Sequence, residues 1–260
     1  MAKKETYITC ENRNIYEGMT SISAIIKKCE EKGDCQKINK VIIDKAKIGS
    51  KSREISFLKR KSAELGFEIE YSTADYIDSL TTGNTHGGII ALCEPTAIPF
   101  LTDSLSEIKA DGVYVMLDGI EDPYNFGYSV RSIYASGADG IILTPRNWMN
   151  VAGIVAKSSA GASELIDMYI SAPEDAIEAF KSKGYKIVCS GIRNSVLMYD
   201  ADMKKPIFLI VGGEKRGISS SIEQKADIVA RVEYGREFKG SLSAASAATI
   251  MVYEIFRQNR

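Results

Sequence analysis

Three segments of the chain combine residue types that nucleotide chemistry uses. In LDGIEDPYNFGYSVRS (117–132) a strand-like run ends at Leu117, Pro123 forces a loop, and a helix is expected near Phe126 with Asn125 as its N-cap. Arg131 then falls on the second turn, near a strand's carboxyl end, where open α/β sheets bind ligands and a guanidinium can hold an RNA phosphate or a ribose. In IFLIVGGEKRGISSSI (207–222) a buried-type strand runs into Gly212, Gly213 and Gly217, which permit positive φ and close approach of a ligand to the backbone. Ile218 stands where a Walker loop needs lysine, and the spacing is not G-x-G-x-x-G. Glu214 would repel a polyphosphate, so a ligand carrying a hydroxyl or a positive centre suits this loop better. In YGREFKGSLSAASAATIMVYEIF (234–256) a Gly-bounded basic loop leads to Ser241, the expected cap of a helix whose first turns are nearly all Ala and Ser. A helix start offers free N–H groups. Taken singly, each segment also fits a plainer role: a surface arginine behind a capped helix, a tight turn, and a capped packing helix.

Such groups need a scaffold, and the chain is patterned to supply one. Short Val- and Ile-rich runs alternate with amphipathic stretches, the pattern of an α/β protein with a largely parallel sheet. Strands are expected at 40–43, 67–71, 88–92, 113–117, 140–143, 185–190, 207–212 and 228–232. Over 50–65, Ile55, Leu58 and Leu65 recur at helical spacing and Gly66 follows at the usual helix end, leaving Lys51, Arg53, Lys59, Arg60 and Lys61 on the polar side. The proline-containing, aperiodic stretch after Cys93 divides the chain into a domain over 1–95, a linker over 96–110 and a second domain over 111–260.

The 260 residues, 45% hydrophobic and 26% charged, are enough to bury a core, and their length suits two ordinary domains. A net charge of −1 argues against a nucleic-acid partner only if the charges are evenly spread. They are not: residues 27–61 hold twelve Lys or Arg against five acids, and residues 62–110 hold one lysine against eight. The basic stretch is either a solvated helix face or a patch that tracks phosphates. Five cysteines without a C-x-x-C pair fit reduced thiols and the cytoplasm. The N-terminus lacks the apolar core of a signal peptide, and no run is long enough to span a bilayer. His86 is the only histidine, which excludes a multi-histidine metal site and leaves a Ser-His-Asp scheme one candidate base, so no metal is expected.

Together the three segments, in order and spacing, resemble the three motifs of the SpoU/TrmH family of the SPOUT superfamily. Asp118, Asp122, Pro123, Asn125, Gly127 and Arg131 match the first motif, Gly212, Glu214 and Gly217 the second, and Ser241 and Leu242 with the helix after them the third. KSSAGASE (157–164) also resembles a family segment. The first domain resembles an L30e-like RNA substrate-binding domain, with THGGIIALCEP (85–95) as its end and His86 as a turn residue. Two departures stand out. Ser243 replaces the usual Asn of a Ser-Leu-Asn triplet, and Val232, Glu233 and Tyr234 stand for Ile-Pro-Met, with the following loop two residues longer if Asp227 sets the register.

The resemblance implies a deep trefoil knot, a homodimeric active site and S-adenosylmethionine-dependent methylation of a ribose 2′-hydroxyl in RNA, ribosomal RNA favoured over tRNA. It implies a catalytic set of Asn125, Arg131, Glu214 and Ser241 and cofactor contacts through Gly212, Gly213, Val232 and Leu242. The basic stretch would then meet RNA phosphates, by shape more than by sequence, through Lys51, Arg53, Lys59, Arg60 and Lys61. Two other readings compete with it: a non-catalytic RNA- or ribosome-binding protein on the same scaffold, and an unrelated nucleotide-dependent α/β enzyme. The missing G-x-G-x-x-G counts against the second.

Overall fold

The computed structural model describes residues 14–32, 38–81, 86–94, 97–145, 152–213 and 217–260. Strands β1 (Asn14–Glu17), β2 (Ile38–Asp44), β3 (Glu68–Ser72) and β4 (Ile89–Cys93) alternate with helices α1 (Gly18–Lys32), α2 (Ser52–Leu65) and α3 (Ala74–Leu80). There follow β5 (Val113–Asp118), α4 (Pro123–Ala135), β6 (Gly140–Leu143), α5 (Ala152–Ser158), α6 (Ala162–Leu165), β7 (Asp167–Ile170) and α7 (Pro173–Ser182). The chain ends with β8 (Lys186–Ser190), β9 (Val196–Leu197), β10 (Ile207–Gly212), α8 (Ser220–Glu223), β11 (Ile228–Arg231) and α9 (Ala244–Asn259). No helix of the described residues is long and apolar enough to cross a membrane.

Two compact units form, Met1–Ala97 with Asn147–Leu165, and Ile98–Arg146 with Ile166–Arg260. The sequence-based division drew a single boundary, whereas here a segment from the middle of the second stretch joins the first unit. In that unit the sheet order is β1-β4-β2-β3, with β2 and β3 parallel and the other pairs antiparallel. Alternation along β2 sends Val41 and Ile43 into a core with α1 and α2, and Ile42 to the other face against Ile77 of α3. The α2 helix ends, as its glycine predicts, on Gly66 at φ 79°.

The segment that joins from 147–165 explains its run of small residues. A Cβ on Gly153 of α5 would stand 2.2 Å from the carbonyl oxygen of Ile15, and one on Gly161 would stand 2.6 Å from the Cβ of Ala24 in α1. Lys157 clamps the contact through a 2.7 Å ion pair to the nearly buried Glu17. Glu164, in α6, is held in its protonated form to higher pH than an ordinary carboxyl because burial disfavours the charge, opposed by hydrogen bonds from Ser163 and Tyr16 and by the charge of Lys28.

The second unit is one seven-stranded parallel sheet in the order β7-β6-β5-β10-β8-β11-β9. Its central strands are apolar on both faces, as a sheet covered on both sides by helices requires. Phe180 of α7 stacks on Phe208 with centroids 4.2 Å apart, and Tyr114 and Tyr185 pack around it. Helix α9 packs on α4. Its last turn is tied down by Gln258 and Asn259, whose side chains bond the backbone of Ala201, Met203 and Lys205.

Strands β1, β7 and β9 were not anticipated. The first and third are short edge pieces, and β7 reads DMYI, in which the acid interrupts the apolar run. Cys29 also departs from the expectation of reduced thiols, being disulfide-bonded, while Cys93 and Cys189 are free and buried.

Glu254, only 5% exposed, accepts from Arg257 Nε at 2.8 Å and Nη2 at 2.7 Å and from Gln258 Nε2 at 2.6 Å. These bonds, chiefly those from Arg257, hold its pKa below the ordinary carboxylate value. A depressed folded-state pKa stabilises above the unfolded value of about 4.3, and the gain is lost as pH falls through the folded value. Glu254→Gln is therefore expected to lower the thermal midpoint at pH 7 by about 2–6 °C, with the gap from wild type closing below about pH 4 in a pH series of melts.

Candidate active site

Within the second unit, the carboxyl ends of β5, β10, β8 and β11 lie along one edge of the parallel sheet, and the three motif segments leave from that edge. Register places Asp118, the last residue of β5, beside Gly212, the last of β10. Beyond them the two backbones touch. A Cβ on Gly213 would lie 2.3 Å from the oxygen of Gly119, and one on Gly212 would lie 2.5 Å from the carbonyl carbon of Gly217. Gly217 N–H donates to Gly213 O at 2.9 Å, and Gly119 and Gly217 adopt φ of 80° and 62°. Glu214 lies outside the described residues.

The first motif starts its helix earlier than expected. Asp122, not Asn125, is the N-cap: its Oδ1 accepts from Asn125 N–H at 2.7 Å, and Pro123 takes the first helical position, where its fixed φ and missing N–H cost nothing. Asn125 therefore sits half-buried in the first turn, with its carbonyl accepting from Ser129 Oγ at 2.8 Å. Arg131 moves to the third turn, exposed and with no ion-pair partner among the described residues.

The third motif is displaced in the opposite direction. Ser243, not Ser241, caps α9, its Oγ accepting from Ser246 N–H at 3.1 Å. Serine and asparagine cap helices about equally well, so Ser243 at the position usually held by Asn keeps the helix start intact. Ser241 is exposed in the loop two residues before the cap, while Leu242 is half-buried and its N–H donates to Tyr234 Oη at 3.2 Å. Val232, half-buried, follows β11 directly.

Two contributors escape the motif reading. Ser190, the last residue of β8, accepts from Gly212 N–H through its Oγ at 3.3 Å, and Tyr234 holds Leu242. The Asp-Pro pair signals the α4 cap in the sequence itself, whereas Ser190 reaches Gly212 only through strand order. His86, in the first unit, uses both ring nitrogens in a turn: Gly88 N–H donates to Nδ1 at 3.0 Å, so Nε2 carries the proton to Asp78 Oδ1 at 2.7 Å.

On α2, the basic residues divide. Lys61 is ion-paired with Glu30 and Glu64, and Lys51 lies 3.7 Å from Glu54. Lys40 is likewise taken, by Glu68 and Glu70 on the neighbouring strand. Arg53 and Lys59 are exposed without an ion pair among the described residues, and Arg60 is only loosely paired with Glu64 at 3.9 Å. Arg60 lies over the Phe57 ring, 5.7 Å from its centroid, and both line a shallow depression with Ser52, Arg53 and Ser56.

A parallel α/β unit with glycine-bearing loops and capped helices on its carboxyl edge defines a nucleotide-type site. The chain belongs to the SpoU rRNA methylase family, whose model matches residues 112–253. It is 29% identical over 225 residues to a protein of Staphylococcus saprophyticus assigned to the TrmH family of tRNA/rRNA methyltransferases, covering 85% of this chain and 88% of that one. Among solved structures, it resembles an AdoMet-bound rRNA methyltransferase from Sinorhizobium meliloti (TM-score 0.76, 23% identity, 94% of this chain and 87% of that one). It also resembles an RNA 2′-O-ribose methyltransferase (TM-score 0.75, 17% identity, 95% and 88%). At these identities the structural likenesses establish the fold.

Gly213→Ala forces a methyl group against the backbone of Gly119, which cannot swing aside, and is expected to cost about 1–3 kcal/mol. Gly217→Ala meets no atom of the described residues within 4 Å and carries the left-handed penalty of about 1–2 kcal/mol. Urea denaturation of the two variants checks the order: Gly213→Ala should be the more destabilised, and the reverse order would contradict the contact between the two turns.

Proposed function

We propose that the chain transfers the methyl group of S-adenosylmethionine to a ribose 2′-hydroxyl of RNA, ribosomal RNA in preference to tRNA, in the cytoplasm. The observation that carries this reading is the convergence of the three motif segments of an rRNA methylase family on one edge of one parallel sheet. The cofactor, when bound, supplies a methyl group already activated by its sulfonium. What the chain must add is alignment of the acceptor hydroxyl and removal of its proton.

The residues present suit that cofactor. Gly119 and Gly213 let the two loops close on each other, and Gly217 carries no side chain on its open side, so a planar base can lie close to its backbone. Gly212, Gly213, Val232 and Leu242 would hold the cofactor through backbone groups. Leu242 N–H is engaged by Tyr234, which leaves its carbonyl as the group to offer. Arg131, a guanidinium with a pKa above about 12, is suited to holding the phosphate beside the target ribose and poorly suited to taking a proton at neutral pH. Asn125 and Ser241 act with it in orienting the hydroxyl.

The cap role of Ser243 favours an active enzyme over a non-catalytic binding protein, because the change from Asn leaves the start of α9 ordered. The homodimer belongs to the same reading, and two stripes of exposed aromatics support it: Tyr124 and Tyr128 on α4, and Tyr253 and Phe256 on α9. The trefoil knot and the L30e-like nature of the first unit are further parts of the same proposal. The preference for ribosomal RNA rests on that last analogy to a ribosomal-protein fold.

Transfer of labelled methyl from S-adenosylmethionine to total RNA of cells lacking the protein, followed by mapping of 2′-O-methyl sites, tests the activity. Arg131→Ala should lose at least about 100-fold, and Arg131→Lys at least about 10-fold, with cofactor affinity unchanged in both. Near-full activity of the lysine variant would contradict a bidentate guanidinium contact.

Among the α2 cations, Arg53, Lys59 and the loosely paired Arg60 are the ones this reading puts against RNA. Replacing all three by Gln should weaken RNA binding and lower the slope of log affinity against log salt by about 2. Replacing the ion-paired Lys51 and Lys61 should change the slope by less. Equal slopes in all variants would remove α2 from the RNA surface.

A further inference from the structure

The loop over 232–243, between β11 and α9, carries groups that the transfer reaction does not use. Phe238 is 58% exposed, although burying a phenylalanine is worth about 1.5–3 kcal/mol. Its ring is nonetheless held in place. A Cβ on Gly240 would stand 2.5 Å from Phe238 Cζ and 2.9 Å from Cε1, so the ring lies directly on that glycine. Tyr234 packs beside it at 5.9 Å between centroids and 57° between planes, and is itself anchored by accepting from Leu242 N–H at 3.2 Å. Arg236 and Lys239 are exposed on the same loop and make no ion pair with a described residue; Glu237 is exposed between them. The loop leaves the carboxyl edge of the sheet and ends at the cap of α9.

We propose that Phe238 is a stacking platform for an unpaired base of the RNA substrate next to the modified nucleotide, with Arg236 and Lys239 holding the flanking phosphates. The inference rests on the RNA methyltransferase reading and adds a recognition site to it. A fixed, solvent-facing ring flanked by cations is the chemistry by which proteins take up splayed-out bases, since every base has a face to stack and every linkage a phosphate to pair. A hydrophobic protein partner would need a broader apolar surface than one ring among charged neighbours. The glycine beneath the ring accounts for the sequence F-K-G: any side chain at 240 would lift the platform.

The test uses the full chain with two fluorescent single-stranded oligoribonucleotides of equal length, one carrying bases and one abasic throughout, with cofactor affinity measured by calorimetry alongside. Phe238→Ala is expected to weaken the base-bearing oligonucleotide by about 5- to 150-fold and to leave the abasic one unchanged, and Phe238→Trp should restore binding. Arg236→Ala with Lys239→Ala should weaken both oligonucleotides alike and lower the salt slope. Cofactor affinity and the melting temperature should stay at wild-type values, because the ring is solvent-facing. Unchanged RNA affinity in Phe238→Ala, equal loss for the two oligonucleotides, failure of tryptophan to rescue, or a parallel fall in cofactor affinity would each overturn the proposal. In those cases wild-type RNA binding remains and the methyltransferase reading stands. A wild-type chain that bound neither oligonucleotide and transferred no methyl group would sink both.

Discussion

Strands β5 and β10 run side by side from Val113 against Ile207 to Asp118 against Gly212, although nearly half of the second unit's chain lies between them in sequence. Everything at the candidate site follows from how these two strands end. Because they stop in register, the turn at Gly119 meets the turn at Gly213 with no room for a side chain between them. Ser190, from the strand on the other side of β10, then closes on Gly212 from its own carboxyl end. Shift either strand by one residue, and the glycines would face atoms they cannot accommodate while Asp118 and Gly212 lost their pairing. The parallel sheet is thus the ruler against which the motif loops are measured.

The two departures from the family pattern read in the sequence, Val232-Glu233-Tyr234 and Ser243, lie in the loop before α9 and at its cap. Ser243 preserves a cap, so that change is conservative in the one role the structure gives it. Tyr234 is not conservative. Its hydroxyl reaches across the loop to Leu242 and turns a stretch of twelve residues without regular structure into a closed ring of chain with an aromatic knob. The changes therefore alter what approaches the sheet edge and leave the edge itself as it was.

Much of this was legible in the sequence, for identifiable reasons. The strands with β-branched runs, such as IFLIVG and VYVMLD, stand out because both faces are buried and nothing polar interrupts them. The helix at 52–65 was readable from its spacing and its terminal glycine. The helix starts were misplaced by two or three residues because more than one capping side chain was available at each, Asp122 or Asn125 and Ser241 or Ser243; Pro123 marks the first choice in the sequence, whereas nothing local chooses between the two serines. The opposed charge runs of the first 110 residues were ambiguous for a different reason: part of the excess cancels across space, Lys40 on the acids of β3 and Lys61 on Glu30 and Glu64, and pairing across strands or between helices is not written in any local window. Ser190 was invisible for the same reason.

The placement of 147–165 in the first unit changes how that unit comes into being. The chain passes between units three times, at 97–98, 146–147 and 165–166. A ribosome emitting this protein releases all of β1–β4 long before α5 and α6 emerge, so the faces of β1 and α1 that receive Gly153 and Gly161 stay open while the first strands of the second unit are made. The first unit is therefore not an independent N-terminal module that can fold and then wait. Its last helices arrive only after the second unit has begun, and a fragment cut at the linker would carry an uncovered face in place of a finished domain.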